Sequence, residues 1–288
     1  MASVLITGTS KGIGLEAALA FGRAGHKVHA TMRNPTRCPE LAETAAREKL
    51  PIRVSAMDVD SDESVARGIA AIEKAHGAID VLVNNAGVER VGSVEELPLA
   101  EFRAVMETNY FGAIRCIKAV AAQMRKRRSG CIINVTSIGG RITSAPLTCY
   151  NASKWALEAL SEALAGEMKT FGVRVAIVEP GIIDTSMARR IEDKPGDSAY
   201  RQSARFASLF AAALRNSAPP SLVGKKIVEV FESGTWQLRH PVGPDAIPFL
   251  QWRGKMTDEQ WVDLNASDDE TWNRSLQRDF GLDVRAKN

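Results

Sequence analysis

Tyr150 and Lys154 stand four positions apart in Tyr150-Asn151-Ala152-Ser153-Lys154, where a stretch with helical apolar spacing begins. On a helix that separation puts both side chains on one face, with an ammonium beside a phenol. A free phenol, with a pKa of about 10, is a poor base at neutral pH, and a neighbouring cation is expected to favour phenolate and lower that value. Tyr150 would then exchange a proton with an alcohol or ketone. In isolation the pair fits a half-buried tyrosine beside a solvated lysine better than a catalytic pair. Ser137 lies just past the apolar run from Cys131 to Val135, so its hydroxyl should emerge at a strand's carboxyl end and orient a substrate oxygen toward Tyr150. Thr136 and Ser144 are rivals for that role, and a serine there can also simply cap a turn.

A second stretch points to phosphate. Thr7-Gly8-Thr9-Ser10-Lys11-Gly12-Ile13-Gly14 follows a strand-like run and opens a helical one. Glycines let the backbone approach a pyrophosphate, and a helix N-terminus supplies unpaired N–H groups and a positive dipole end. The spacing is G-x-x-x-G-x-G, and a plain tight turn is the competing explanation. Its place at the first strand-to-helix junction favours phosphate.

Alternating elements must position these groups. Strand-like runs at residues 4–7, 27–32, 53–58, 81–84, 131–136 and 174–179 are separated by helical stretches at 12–24, 39–49, 62–76, 99–127 and 150–171. The alternation predicts an α/β fold: a doubly wound, Rossmann-type parallel sheet with helices on both faces and ligands at the strands' carboxyl ends. After Pro180 the pattern weakens, with helical stretches only at 206–214 and 221–233 before a Pro-, Gly- and Trp-rich end. One domain is expected over 1–288: a core at about 3–190 and 221–243, a substrate-covering segment at about 187–222 and a tail at about 244–288.

Composition excludes several classes. A chain with 45% hydrophobic residues is neither disordered nor collagen-like, and a net charge of +3 is too slight to imply nucleic acid or an anionic membrane as partner. The basic run Arg125-Lys126-Arg127-Arg128 ends a helical stretch, where cations suit the helix C-terminus. Cys38, Cys116, Cys131 and Cys149 are widely spaced, and His26, His29, His76 and His240 are scattered, so no metal is expected. The cysteines fit reduced thiols, and Cys149 fits apolar packing better than redox chemistry. Without a leader pattern or an uninterrupted apolar stretch of about 18 residues, the expectation is a cytoplasmic protein with no membrane span.

Read in order, the phosphate turn, Asp58, Asn84-Asn85-Ala86-Gly87, Asn109, Ser137, the Tyr150–Lys154 pair and Pro180-Gly181-Ile182-Ile183-Asp184-Thr185 resemble the short-chain dehydrogenase/reductase family over about residues 3–190. Each motif is common; the ordered set is specific. The resemblance implies Asn109, Ser137, Tyr150 and Lys154 as catalytic residues, with Asn109 holding a water in a proton relay behind the lysine. It implies cofactor contacts from Gly8, Ser10, Lys11, Gly12, Ile13 and Gly14 at the phosphates, Asp58 at the adenine, and Asn85 with Gly87 on the adenosine side. Lys154 and Tyr150 would meet the nicotinamide ribose end, and the loop from Pro180 would bring Ile183 and Thr185 to the carboxamide.

Cofactor choice follows from charge. Where an NAD-preferring relative carries an acid at the end of the second strand, this chain has Met32 followed by Arg33. Arg33 and Lys11 can pair with a 2'-phosphate, so NADP (NADPH) is expected and NAD is disfavoured. The implied activity interconverts a secondary alcohol and a ketone or aldehyde. Arg239-His240-Pro241-Val242-Gly243-Pro244 and residues 88–92 resemble relatives acting on steroids, retinoids and other hydrophobic compounds. A homodimer or homotetramer paired through the helices at 99–127 and 150–171 is implied as well. The alternatives are an NADP(H)-sensing regulator or scaffold without turnover, and a dehydratase or epimerase that uses the cofactor transiently.

Overall fold

Neighbouring residues on an extended strand point to opposite faces, so a sheet covered on both sides needs continuous apolar runs. The inner strands have them. In a computed structural model, which describes residues 1–192 and 198–285, β1 (Ser3–Thr7), β2 (Lys27–Met32), β3 (Ile52–Ala56), β4 (Val81–Asn84), β5 (Gly130–Val135), β6 (Val173–Pro180) and β7 (Arg239–Val242) form one parallel sheet. Their order is β3-β2-β1-β4-β5-β6-β7. The expected positions 193–197 of the covering segment and 286–288 of the tail lie outside the described residues.

Val4, Ile6, Val83 and Ile133 face α1 (Gly12–Arg23), while their neighbours Leu5, Leu82 and Ile132 face the opposite layer. α2 (Glu40–Arg47) flanks the β3 edge; α3 (Asp62–His76), α4 (Leu99–Met106), α5 (Gly112–Arg127) and α6 (Thr148–Lys169) follow in chain order, and α3, α5 and α6 supply that opposite layer. Beyond β6 come α7 (Ser186–Glu192), α8 (Gln202–Ala213) and α9 (Pro220–Glu232), the last packed against α1 so closely that a Cβ on Gly224 would stand 2.8 Å from the Glu16 carbonyl carbon. The strand order reverses between β1 and β4, which opens a crevice at the carboxyl edge.

Two expectations need correction. The helix expected over 99–127 is interrupted by a π-type turn, Glu107–Phe111, which carries the buried Asn109. Apolar spacing does not register one extra residue in a turn. The stretch expected as a tail instead folds into α10 (Ala246–Gly254), α11 (Asp258–Ala266) and α12 (Asp269–Phe280). Its aromatics make a third apolar cluster, in which Phe249 stacks on Phe280 at 4.2 Å and Trp252 meets Trp261 edge-on at 5.3 Å.

Three of the four cations of the basic run, all exposed, make contacts to their own fold. Arg127 donates to the Ile79 carbonyl at 2.7 Å, Arg128 to the Thr170 carbonyl at 3.0 Å, and Arg125 lies over the Phe171 ring. Burial pushes the Cys116 thiol up to about 12, the Cys131 thiol up to about 11, and the Cys149 thiol upward. These values fit packing rather than reactivity. No helix among the described residues is long and apolar enough to cross a membrane.

Candidate active site

The first turn of α6 is tied to the loop after β5 by Asn151, whose amide donates to the Gly139 carbonyl at 2.8 Å and whose oxygen accepts from the Ser144 N–H at 3.1 Å. That brace fixes Tyr150 against Ser137, whose hydroxyl reaches the phenol. Ser137 also caps its own turn, accepting from the Gly139 N–H at 3.0 Å, and lies 3.4 Å from the Pro180 carbonyl. The rival Thr136 is committed elsewhere, donating to Glu158 at 2.6 Å.

One turn further on, Lys154 is buried, donates from Nζ to the Val135 carbonyl at 2.9 Å, and stands 5.7 Å from the centre of the Tyr150 ring. The electrostatics reverse the expected order. Burial pushes the Tyr150 phenol up to about 12, helped by the nearby Glu89 carboxylate and opposed only by Ser137, and burial pulls Lys154 down to about 8. Desolvation outweighs the cation's pull because both groups leave water together. Burial therefore favours the neutral phenol.

Asn109 does not line the cavity. Its oxygen accepts from the Val88 N–H at 2.8 Å, and its amide donates to the Val88 carbonyl and to Ser153, both at 2.9 Å. Ser153 in turn donates to the Tyr150 carbonyl, so Asn109 fastens the loop after β4 to the turn that carries Tyr150. Gly87 lies beside both groups: a Cβ there would stand at ordinary contact distance from Asn109 Oδ1, 3.4 Å, and Lys154 Nζ, 3.7 Å.

The phosphate turn is shaped by contact. A Cβ on Gly14 would lie 2.3 Å from the Gly8 carbonyl oxygen, and Gly8 itself, at φ +70°, crosses the Ala86 backbone. Asn85 locks the crossing by donating to the Thr7 and Gly8 carbonyls, each at 3.0 Å. Lys11, the residue just before α1, provides no side-chain cap, so the first N–H groups of the helix remain available to an anion. Across the crevice, Gly12 faces Thr185, whose hydroxyl accepts from the Ala188 N–H at the start of α7. The loop from Pro180 is pinned by a residue that the motifs did not flag: Asp245 accepts from the Ile182 N–H at 2.7 Å, with its other oxygen against Gly181.

One cavity of about 510 Å³ joins the glycine turn, the Tyr150 face and the loop from Pro180. Gly8, Ser10, Lys11, Gly12, Ile13, Gly14, Arg33, Asp58, Asn85 and Gly87 line it, together with Ser137, Tyr150, Lys154, Pro180, Ile183 and Thr185. The far wall is apolar, with Phe206, Phe249, Trp252, Trp261 and Trp272 from the C-terminal third. Glu89 also lines it, ion-paired to Arg190 of α7 at 2.9 Å. The aromatic wall went unplaced because the pairing of α10 to α12 is non-local. Arg239 and His240 do not line the cavity, which removes the structural basis for taking that stretch as a substrate contact.

His29 and His76 do meet, stacked at 5.0 Å, and burial holds His29 neutral at about 4; neither lines the cavity. No group of three or more possible metal ligands occurs among the described residues. An uncapped helix start beside a glycine-shaped turn, continuous with the Tyr150 pocket, fits an extended dinucleotide.

Comparison with known proteins agrees. A model of the short chain dehydrogenase family matches residues 2–196. "Oxidoreductase BOA17" of Botryotinia fuckeliana is 34% identical over 269 residues, covering 90% of this chain and 96% of that protein. Retinol dehydrogenase 8 of Bos taurus is 37% identical over 263 residues, covering 86% and 83%. A solved short-chain dehydrogenase from Streptomyces avermitilis superposes with a TM-score of 0.76 at 30% identity, over 93% of this chain and 99% of that one. With fold, crevice and ordered motifs in agreement, this chain belongs to the short-chain dehydrogenase/reductase family, oxidoreductases that work with a nicotinamide cofactor.

Proposed function

We propose that the protein is an NADP-dependent oxidoreductase that interconverts a hydrophobic alcohol and its carbonyl compound, a secondary alcohol with its ketone or a primary alcohol with its aldehyde. The observation that carries this reading is the half-buried Tyr150 phenol beside Ser137 and Lys154, in one cavity lined both by the glycine turn and by apolar aromatic residues. When bound, the nicotinamide ring supplies or accepts the hydride. Everything else falls to the chain. Ser137 and Tyr150 together hold the substrate oxygen, and Tyr150 donates its proton to that oxygen in reduction and takes it back in oxidation. Lys154, a cation below pH about 8, stabilises the phenolate left behind. Asn109 acts through its brace on the loop after β4.

The aromatic wall supports an apolar substrate, in keeping with the name of the retinol dehydrogenase relative. The described parts of α7 and α8, through residues such as Ile191, Phe206 and Leu209, and the helices α10 to α12 cover that substrate. Exposed Phe111 and Trp155 on the helices flanking the site, at 44% and 47% of full exposure, support pairing of two or four copies there. Turnover is the test: NADPH consumed one-for-one with alcohol formed from apolar ketones is expected. Tight NADPH binding with no carbonyl turned over would favour the sensor, and product without net cofactor consumption a dehydratase or epimerase.

Cofactor choice rests on Arg33, exposed at the cavity rim where a carboxylate would repel a 2'-phosphate, and on Lys11 beside it. Arg33→Ala is expected to weaken NADPH binding roughly ten- to fiftyfold, as loss of a charge-assisted pair does, and NADH binding less than about twofold. Titration of both cofactors by fluorescence reads this. Equal losses would make Arg33 a bystander.

A further inference from the structure

Asp245 does not line the cavity, and it opens the stretch expected as a tail, where its carbonyl accepts from the Phe249 N–H at 2.9 Å in the first turn of α10. Its side chain reaches the loop after β6. Oδ2 accepts from the Ile182 N–H at 2.7 Å, while Oδ1 is buried and has no partner among the described residues. Two glycines shape the slot that holds the carboxylate. A Cβ on Gly181 would stand 2.2 Å from Oδ1, and one on Gly243 would stand 3.0 Å from it. The rest of the loop is tied by other means: Gly181 donates to the Val242 carbonyl and Asp184 to the Ala218 carbonyl, each at 2.9 Å, and Ser137 lies against the Pro180 carbonyl. Ile182 is therefore the point at which the C-terminal helices grip a loop whose residues Gly181, Ile182 and Ile183 all line the cavity.

We infer that Asp245 is a positioning residue for the nicotinamide half of the cofactor: its carboxylate fixes the backbone from Gly181 to Ile183, and with it the surface that Ile183 and Thr185 offer to the carboxamide. The inference rests on the reading of this loop as the carboxamide contact. A loop segment holds one backbone path only while its N–H groups keep their acceptors, and removing the carboxylate leaves the Ile182 N–H without the acceptor it has. On the same reading the adenosine end is held by the glycine turn, Arg33 and Asp58, none of which is a partner of Asp245. Losing Asp245 should therefore be felt at one end of the dinucleotide and not at the other. Because Asp245 also begins α10, whose Phe249 belongs to the aromatic wall, a single residue sets the cofactor loop against the substrate chamber.

The test compares two ligands by isothermal titration calorimetry on the full chain: NADPH, which spans both ends, and 2',5'-ADP, which lacks the nicotinamide half. Asp245→Ala is expected to weaken NADPH about tenfold, the size of one lost hydrogen bond to a carboxylate, and to leave 2',5'-ADP within about twofold of the parent. Asp245→Asn, which keeps an acceptor and the side-chain shape, should bind both ligands within about threefold of the parent. Should Asp245→Ala fail to fold, Gly181→Ala replaces it, since that methyl displaces the carboxylate and should give the same selective loss. Equal weakening of the two ligands in the variant used, or unchanged NADPH binding in it, would overturn the proposal and leave Asp245 a structural brace. Asp245→Asn as weak as Asp245→Ala would overturn it too. If the parent prefers NADH, the pair NADH and ADP serves in the same way, so failure of the NADP reading leaves this test standing. Absence of turnover alters neither titration, whereas a parent that binds no dinucleotide would overturn the proposed function and this inference with it.

Discussion

Tyr150→Phe reduces ketones at about one thousandth of the parent rate or less, binds NADPH within about twofold of the parent, and melts close to the parent temperature. The loss follows from removing the one group placed to deliver a proton to the substrate oxygen, a contribution worth about 10²- to 10⁴-fold in general acid catalysis. The fold survives because the ring keeps its packing against the apolar wall and Ser137 keeps its contact with the Gly139 N–H. At neutral pH the neutral phenol holds the proton that reduction requires, and the Lys154 cation offsets the cost of the phenolate left behind. Single-turnover kinetics with NADPH and a saturating ketone separate the chemical step from binding. Unchanged turnover in the variant would remove Tyr150 from the mechanism.

The second large effect falls on the glycine turn. Gly14→Ala places a methyl 2.3 Å from the Gly8 carbonyl oxygen and 2.4 Å from the Asn85 amide nitrogen. Neither can yield: Gly8 is itself pressed on Ala86, and Asn85 is held by two carbonyls. The turn must open, with an expected loss of about 3 kcal/mol or more in stability and loss of measurable NADPH binding. Gly166→Ala on α6, which meets nothing within 4 Å, should instead hold or gain about 0.5–1 kcal/mol through helix propensity. Thermal unfolding of the two variants side by side, with cofactor titration, checks both. Equal melting temperatures would contradict the packing argument.

The central sheet was legible because a parallel strand buried on both faces spells itself as a continuous apolar run. β2 and β4 begin and end where the runs do, and α3 spans its whole expected stretch. The C-terminal third hid its helices, although two carried starting signals: Thr257 and Gln260 form a reciprocal cap, and Asp268 accepts from the Thr271 N–H. Those helices are short, and what holds them is aromatic packing across α10 to α12, which no local pattern encodes.

The site divides the same way. Motif order brought the phosphate turn and the Tyr150 face to one cavity, yet the charge argument for Tyr150 weighed its nearest cation and omitted burial. Asn109 was found by resemblance, but its brace depends on a π-type turn without apolar signature. Arg239 drew notice as part of a substrate-like stretch; only the register of β7 beside β6 shows it reaching Glu158 and Glu179.

The most direct measurement follows the hydrogen itself. Enzyme, an apolar ketone and NADPH deuterated at the nicotinamide C4 position that donates are incubated together, and the alcohol is analysed by mass spectrometry. One deuterium at the carbinol carbon per NADPH consumed, in the parent and at a greatly reduced rate in Tyr150→Phe, is the predicted result. Alcohol without label, or cofactor that binds and keeps its deuterium with every carbonyl offered, would contradict the account.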